Sequence, residues 1–154
     1  MTLLIESLPQ NLEPVCATDF VELNWLERSR PRIKCRSIAG VALALALPRG
    51  TVLGDNDLIC NTAEHTIMVR AKAEPVLVIT ASNETELCLI AHQLGNWHRA
   101  LQFQSRQHIL TEPDGVLEEW LRKMQIAHSL EQLPYHPNMR EIQHKISISK
   151  ISQS

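Results

Sequence analysis

Across residues 30–37 the chain alternates strictly. Arg30, Arg32, Lys34 and Arg36 fall on one parity, and Pro31, Ile33 and Cys35 on the other. Period-two alternation predicts a half-buried strand with one cationic face, and Pro31 suits a strand start or a sheet edge. The next run, Val41-Ala-Leu-Ala-Leu-Ala-Leu47, is built of good helix formers. Its shortness and its flanks, Gly40 and Pro48-Arg49-Gly50, argue instead for a strand. Val41, Leu43, Leu45 and Leu47 then point to a core, and the alanines lie under a close neighbour. Pro48-Arg49-Gly50 and Asp55-Asn56-Asp57 read as turns. Further strands are expected at residues 58–60, 66–70 and 76–80.

The second half has a different period. Ser82-Asn83-Glu84-Thr85-Glu86 predicts a helix start, with Ser82 as cap or near-cap and acids in the first turn. Leu87, Ile90, Ala91 and Leu94 make one apolar face, and Gly95-Asn96 supplies a C-terminal stop. Short strands are expected at residues 101–103 and 108–111. Pro113 and Asp114 open a second helix whose apolar face is Val116, Leu117, Trp120, Leu121 and Met124. Residues 126–128 lead into a last strand. From the strand at 76–80 onward the order is βαββαβ, the ferredoxin-like pattern.

The expected fold class is therefore α+β. An all-β N-terminal domain occupies residues 1–73, a ferredoxin-like domain residues 74–139, and a polar, Ser-rich flexible tail residues 140–154. Each half is small, so mutual docking or dimerisation contributes to stability.

Composition narrows the function classes. With 15 basic and 17 acidic residues the formal net charge is -2, so no global field draws the chain to nucleic acid or to an anionic membrane. No apolar run approaches the roughly 18 residues of a bilayer span. The start, Met1 to Glu6, carries no basic segment of a secretory signal. A cytoplasmic protein is expected. Cys16, Cys35, Cys60 and Cys88 are widely spaced and form no Cys-x-x-Cys pair, which argues against a zinc ribbon or a thioredoxin-like site. Reduced, mostly buried thiols fit best.

The seven histidines, His65, His92, His98, His108, His128, His136 and His144, permit metal binding without specifying it. A lone histidine is more often a surface or satisfied core residue than a ligand. His92 and His98 are six residues apart, which is not a same-face spacing, and Gly95-Asn96 is expected to break the helix between them. His98 then lies just past a helix end, where a loop can present it.

Here specific segments come into play. Ala91-His92-Gln93-Leu94-Gly95-Asn96-Trp97-His98 resembles the Ala-Tyr-His-Leu-Gly-Asn-Arg-His signature of the urease accessory protein E family, the urease nickel chaperones. Leu47-Pro48-Arg49-Gly50-Thr51-Val52-Leu53 is similar to that family's Leu-Pro-Arg-Gly-Thr-x-Leu turn. Asp114-Gly115-Val116-Leu117-Glu118-Glu119-Trp120-Leu121 resembles its Asp-His-Val-Leu-Glu-Asp-Met-Leu helix. Gln132-Leu133-Pro134-Tyr135 resembles a Leu-Pro-Phe segment after the last strand, and Arg30, Arg32 and Arg36 echo an arginine-rich early strand.

The resemblance implies a β domain that grips polypeptide and a ferredoxin-like domain that binds metal and forms a homodimer. The histidine matching His98 would come from both chains and share one Ni2+ on the two-fold axis. The metal would then pass to the urease apoprotein together with other accessory proteins, including the accessory GTPase. A two-fold axis turns one histidine per chain into two ligands, and incomplete coordination favours transfer over storage. Zn2+ and Cu2+ accept the same donors. His92, Gln93 and Trp97 depart from the signature, and Pro113 and Gly115 stand where some members carry histidines. One shared site per dimer is expected, with His144 as second candidate ligand and His136 as third. Arg30, Arg32, Lys34 and Arg36 form a candidate surface for an acidic partner, or a charged edge that blocks aggregation.

Two other readings remain open on sequence. One is a metal-independent adaptor that docks urease or its accessory proteins. The other is an enzyme using Cys88 and a histidine, which no flanking signature supports.

Overall fold

A computed structural model describes residues 1–10 and 15–137. The chain divides into two compact units, Met1–Lys72 and Ala73–Ser154. No helix among the described residues is long and apolar enough to cross a membrane. The expected tail with His144 lies outside the described residues.

The first unit contains β1 (Thr2–Ile5), β2 (Asp19–Leu23), a single helical turn α1 (Trp25–Arg28), β3 (Arg32–Arg36), β4 (Ala42–Ala46), β5 (Leu58–Asn61) and β6 (Thr66–Ala71). They form two three-stranded sheets, ordered β1-β4-β3 and β2-β6-β5. One core is shared by both: Val21 and Leu23 of β2, Leu43 and Leu45 of β4, Ile59 of β5, and Ile67 and Val69 of β6. The alternation in residues 41–47 is therefore a strand, as the flanks require. Ala42, Ala44 and Ala46 take the outward parity and are half-exposed. Among the described residues no element covers them as expected; Ala42 and Ala44 instead help line an open trough.

β1, β2 and α1 were not legible in the pattern. β1 pairs in parallel with β4, and β2 in parallel with β6. α1 is short but well capped. Asn24 accepts from the Glu27 amide at 2.8 Å and the Glu27 carboxylate accepts from the Asn24 amide at 2.8 Å, a reciprocal capping box. Asp19 ties the start of β2 to the β3–β4 turn, accepting from the amides of Phe20 at 2.7 Å and Ala39 at 3.1 Å. Burial pushes its carboxyl up, but the Ser37 hydroxyl and the Ala39 and Phe20 amides outweigh that and hold it below the usual carboxylate value.

The second unit runs β7 (Ala73–Thr80), α2 (Glu84–Asn96), β8 (Leu101–Phe103), β9 (His108–Thr111), α3 (Gly115–Lys123) and β10 (Ala127–Pro134). The sheet order is β10-β7-β9-β8, with every neighbouring pair antiparallel. This is the ferredoxin-like arrangement anticipated from the βαββαβ order, and the class is α+β. Ile90 and Leu94 of α2 and Leu117 and Leu121 of α3 pack with Leu77, Ile79, Leu101 and Ile109 of the strands. Each such side chain contributes roughly 1.5–3 kcal/mol on burial, which fixes both helices to the sheet.

Two expectations need correction. The apolar stripe of α3 is narrower than the pattern suggested: Val116 and Met124 are 68% and 47% exposed, because they sit at the helix ends beyond the reach of the sheet. The thiols are free but not mostly buried; Cys16 and Cys88 are exposed, Cys35 is half-buried and only Cys60 is buried. The start of α2 is as expected, with Ser82 as near-cap: the cap itself is Asn83, which accepts from the Glu86 amide at 2.9 Å. Ser82 precedes it and donates its amide to the Glu86 carboxylate.

Candidate functional site

The helix α2 stops at Gly95-Asn96 as expected: its last residue is Asn96, Trp97 is the C-cap, and the chain turns at His98. His98 has φ 53°, in the left-handed region. Its amide donates to the Gly95 carbonyl at 3.0 Å, and the Arg99 amide donates to the Leu94 carbonyl at 3.0 Å. This pair of bonds is the Schellman motif, with His98 at the position usually taken by glycine. A left-handed L-residue costs roughly 1–2 kcal/mol, and non-glycine residues in this region concentrate at functional sites. Gly95 lies in the last turn of the helix, and His98, not the glycine, takes the left-handed position.

The neighbours of His98 are both anchored on α3. Trp97 is half-buried against the core and meets Trp120 edge-on, with ring centroids 5.8 Å apart and planes at 77°. Arg99 pairs with Asp114 at 2.8 Å. Asp114 is the N-cap of α3 and also accepts from the Leu117 amide at 3.0 Å. That amide and then the Arg99 guanidinium hold its carboxyl below the usual value. His98 itself is exposed. Trp97 therefore belongs to the packing of its own unit. Two departures from the family segments, Trp97 for arginine and Trp120 for methionine, meet each other.

The other histidines divide plainly. His92 is exposed and its Nε2 lies 3.1 Å from the Asn96 amide nitrogen. His128 places Nδ1 2.8 Å from the Ile126 carbonyl, and His108 places Nδ1 2.7 Å from the Ser105 hydroxyl. His136 is brought back toward the strand that follows His98. After β10 at one sheet edge, the Tyr135 hydroxyl donates to the Ala100 carbonyl at 2.8 Å and the His136 amide donates to Gln102 Oε1 at 2.7 Å, beside β8 at the other edge. Tyr135 is fully buried, and burial, with Glu112 and Glu74 nearby, pushes its phenol above its usual value despite the Thr111 hydroxyl. Among the described residues no group of three or more His, Cys, Asp and Glu is arranged to hold a metal ion.

In the first unit Arg32, Lys34 and Arg36 stand exposed on the outward face of β3, and Arg30 is exposed just before it. Lys34 and Arg36, with Thr2, Leu4, Ala42 and Ala44, line an open trough of about 610 Å³ across β1, β4 and β3. Its floor is alanine and one wall is cationic. Cys88 is exposed on α2.

Comparison with known proteins joins these features. Residues 8–72 match the family described as UreE urease accessory protein, N-terminal domain, and residues 74–149 match UreE urease accessory protein, C-terminal domain. A protein named urease accessory protein UreE from Microcystis aeruginosa is 36% identical over 118 residues, covering 77% of this chain and 74% of its own length. Relatives of the same name from Verminephrobacter eiseniae and Ectopseudomonas mendocina are each 34% identical, over 134 and 128 residues, covering 83% and 82% of this chain and 79% and 76% of their own. They are named as accessory proteins, not as enzymes, and the chain is likewise not an enzyme. It belongs to the UreE urease accessory protein family.

Proposed function

We propose that this chain is a cytoplasmic nickel metallochaperone that binds Ni2+ at a homodimer interface and donates it to apo-urease while the metallocentre is assembled. The observation that carries the reading is His98. It fills the histidine position of the family signature, is exposed, and sits at a turn where glycine would cost less. Gln125 takes the same left-handed position without being a candidate ligand, so it is the exposed imidazole at the family's histidine position that supports the reading.

One imidazole does not hold a metal, so further donors come from a second copy of the chain, from water or from the tail. His144 is the first tail candidate. His136 is anchored at Gln102, on the strand that follows the His98 turn. His136 is the next candidate. The coordination stays incomplete by design, which favours release to a receiving protein. Zn2+ and Cu2+ compete for the same donors in vitro.

The cationic face of Arg30, Arg32, Lys34 and Arg36, with its alanine-floored trough, supports docking of an acidic partner. The urease apoprotein or its accessory proteins, among them the GTPase, are the partners proposed. The same face supports a second reading, a metal-independent adaptor. Nickel titration by calorimetry of wild type and His98→Ala, with dimer mass checked in parallel, separates the two. About one nickel per dimer, lost in a still-dimeric variant, is expected. Equal binding by the variant would sink the shared-site reading and leave the adaptor.

A further inference from the structure

We propose that the contacts of Trp97 with Trp120 and of Arg99 with Asp114 form a two-sided clamp that fixes His98 as a metal ligand, making Trp120 and Asp114 positioning residues on α3. The inference rests on the reading of His98 as the ligand.

The geometry carries it. In the turn Trp97-His98-Arg99 the first and third side chains are each held by α3, through a ring edge at 5.8 Å and an ion pair at 2.8 Å. Only the middle side chain is left exposed to solvent. A residue at φ 53° has favourable alternatives on the other side of the φ map. Relaxation into one of them would swing the imidazole away from a partner donor. With residues 97 and 99 fixed, that rotation is blocked.

The second helix supplies an internal comparison. α3 ends in the same motif: Gln125 has φ 56°, its amide donates to the Arg122 carbonyl, and the Ile126 amide donates to the Leu121 carbonyl. There the residue after the left-handed position, Ile126, is buried in the core, and the residue before it, Met124, is exposed. That is the usual hydrophobic finish of such a turn. At α2 the hydrophobic finish is replaced by an arginine aimed at the cap of the other helix, and a tryptophan stands on the other side. A partly exposed ion pair adds little stability. What it does add is a fixed direction, since the cap oxygen of Asp114 is itself held by the Leu117 amide.

Holding a ligand from one shell out is a recognised lever on metal affinity, worth about ten- to a hundred-fold. The test uses the full-length dimer. Asp114→Asn keeps a capping oxygen for Leu117 but removes the charge facing Arg99. Trp120→Met removes the ring facing Trp97, and Trp120→Phe keeps a ring edge there. Nickel affinity is read by calorimetry, dimer mass by sedimentation, and backbone order by amide relaxation in the metal-free protein. The expected result is an affinity loss of about ten-fold in Asp114→Asn and in Trp120→Met. The amides of His98 and Arg99 should gain motion while those of residues 86–94 do not, with dimer mass unchanged. Trp120→Phe should retain wild-type affinity to within about two-fold. Dimeric variants that bind nickel as wild type does would overturn the clamp and leave His98 standing as ligand. A loss of nickel that tracks dimer dissociation, with those two amides unmoved, would overturn it as well. If His98→Ala binds as wild type does, the ligand reading falls and the clamp falls with it.

Discussion

Replacing His98 by glycine should make the protein more stable and useless for nickel. The backbone at His98 is left-handed, φ 53°, at a cost of roughly 1–2 kcal/mol for an L-residue. Glycine removes that cost but adds roughly 0.5–1 kcal/mol of unfolded-state entropy. Because His98 is exposed, its truncation forfeits little packing, and the net gain is about 0.5–1 kcal/mol. For a unit of this size that raises Tm by roughly 2–8 °C. Gln125→Gly is the matched control, since Gln125 occupies the same position of the same motif at φ 56° and is not a proposed ligand. Thermal unfolding at one fixed protein concentration, followed by nickel titration, reads both. Both variants should melt higher, and only His98→Gly should lose nickel. A His98→Gly protein that melts lower than wild type refutes the claim that this turn is held against its backbone preference. A Gln125→Gly protein that loses nickel refutes the separation of the two turns.

Other consequences follow from particular contacts. Asp19 has its carboxyl held below the usual value, so its stabilising contribution is full above pH 4 or so and is lost as pH falls through the lower folded value. Acid unfolding of Asp19→Ala should show a shallower pH dependence below about pH 4, with a cost near neutrality of about 2 kcal/mol. Leu94 is fully buried and its carbonyl accepts the bond that closes the His98 turn; Leu94→Ala should cost about 2–5 kcal/mol in denaturant unfolding. Charge reversal at Arg32, Lys34 and Arg36 together should weaken capture of the urease apoprotein or an accessory protein, increasingly so at low salt, and leave nickel titration unchanged. An unchanged interaction would assign this face to edge protection. His144→Ala should retain one nickel per dimer at reduced affinity, and unchanged affinity would remove the tail from the site.

Much of the architecture could be read from local periodicity. β3, β4 and the second-unit strands follow period two or short apolar runs, and α2 and α3 show their caps and stripes in the residues themselves. β1 and β2 escaped because each is a short strand completed by a parallel partner more than 35 residues away, Thr2 by Ala42 and Asp19 by Ile67. The end of α2 at Gly95-Asn96 was legible, but the residue that takes the left-handed turn was not. Glycine marks the usual left-handed position, and no local rule announces that a histidine will take it. His98 as a candidate came from the resemblance, not from its spacing to other histidines. Its surroundings were invisible in sequence, because Trp97 meets Trp120 and Arg99 meets Asp114 only once α3 lies beside the end of α2.

The order β10-β7-β9-β8 puts the first strand of the second unit in the middle of its sheet and the last strand at its edge. β7 carries Val76-Leu77-Val78-Ile79, all buried in the folded unit, and Ala73 of β7 pairs with Pro134 of β10. During synthesis this apolar run is made early and loses its open flank only when β10 has been made. Such a strand is an aggregation hazard while it waits. β10 then closes it with Ser129, Glu131 and Gln132 exposed around Leu130, a mostly polar selvage that discourages further strands from adding. A chain truncated before residue 127 would keep both helices yet leave β7 as a bare apolar edge, and should be recovered from cells as insoluble protein.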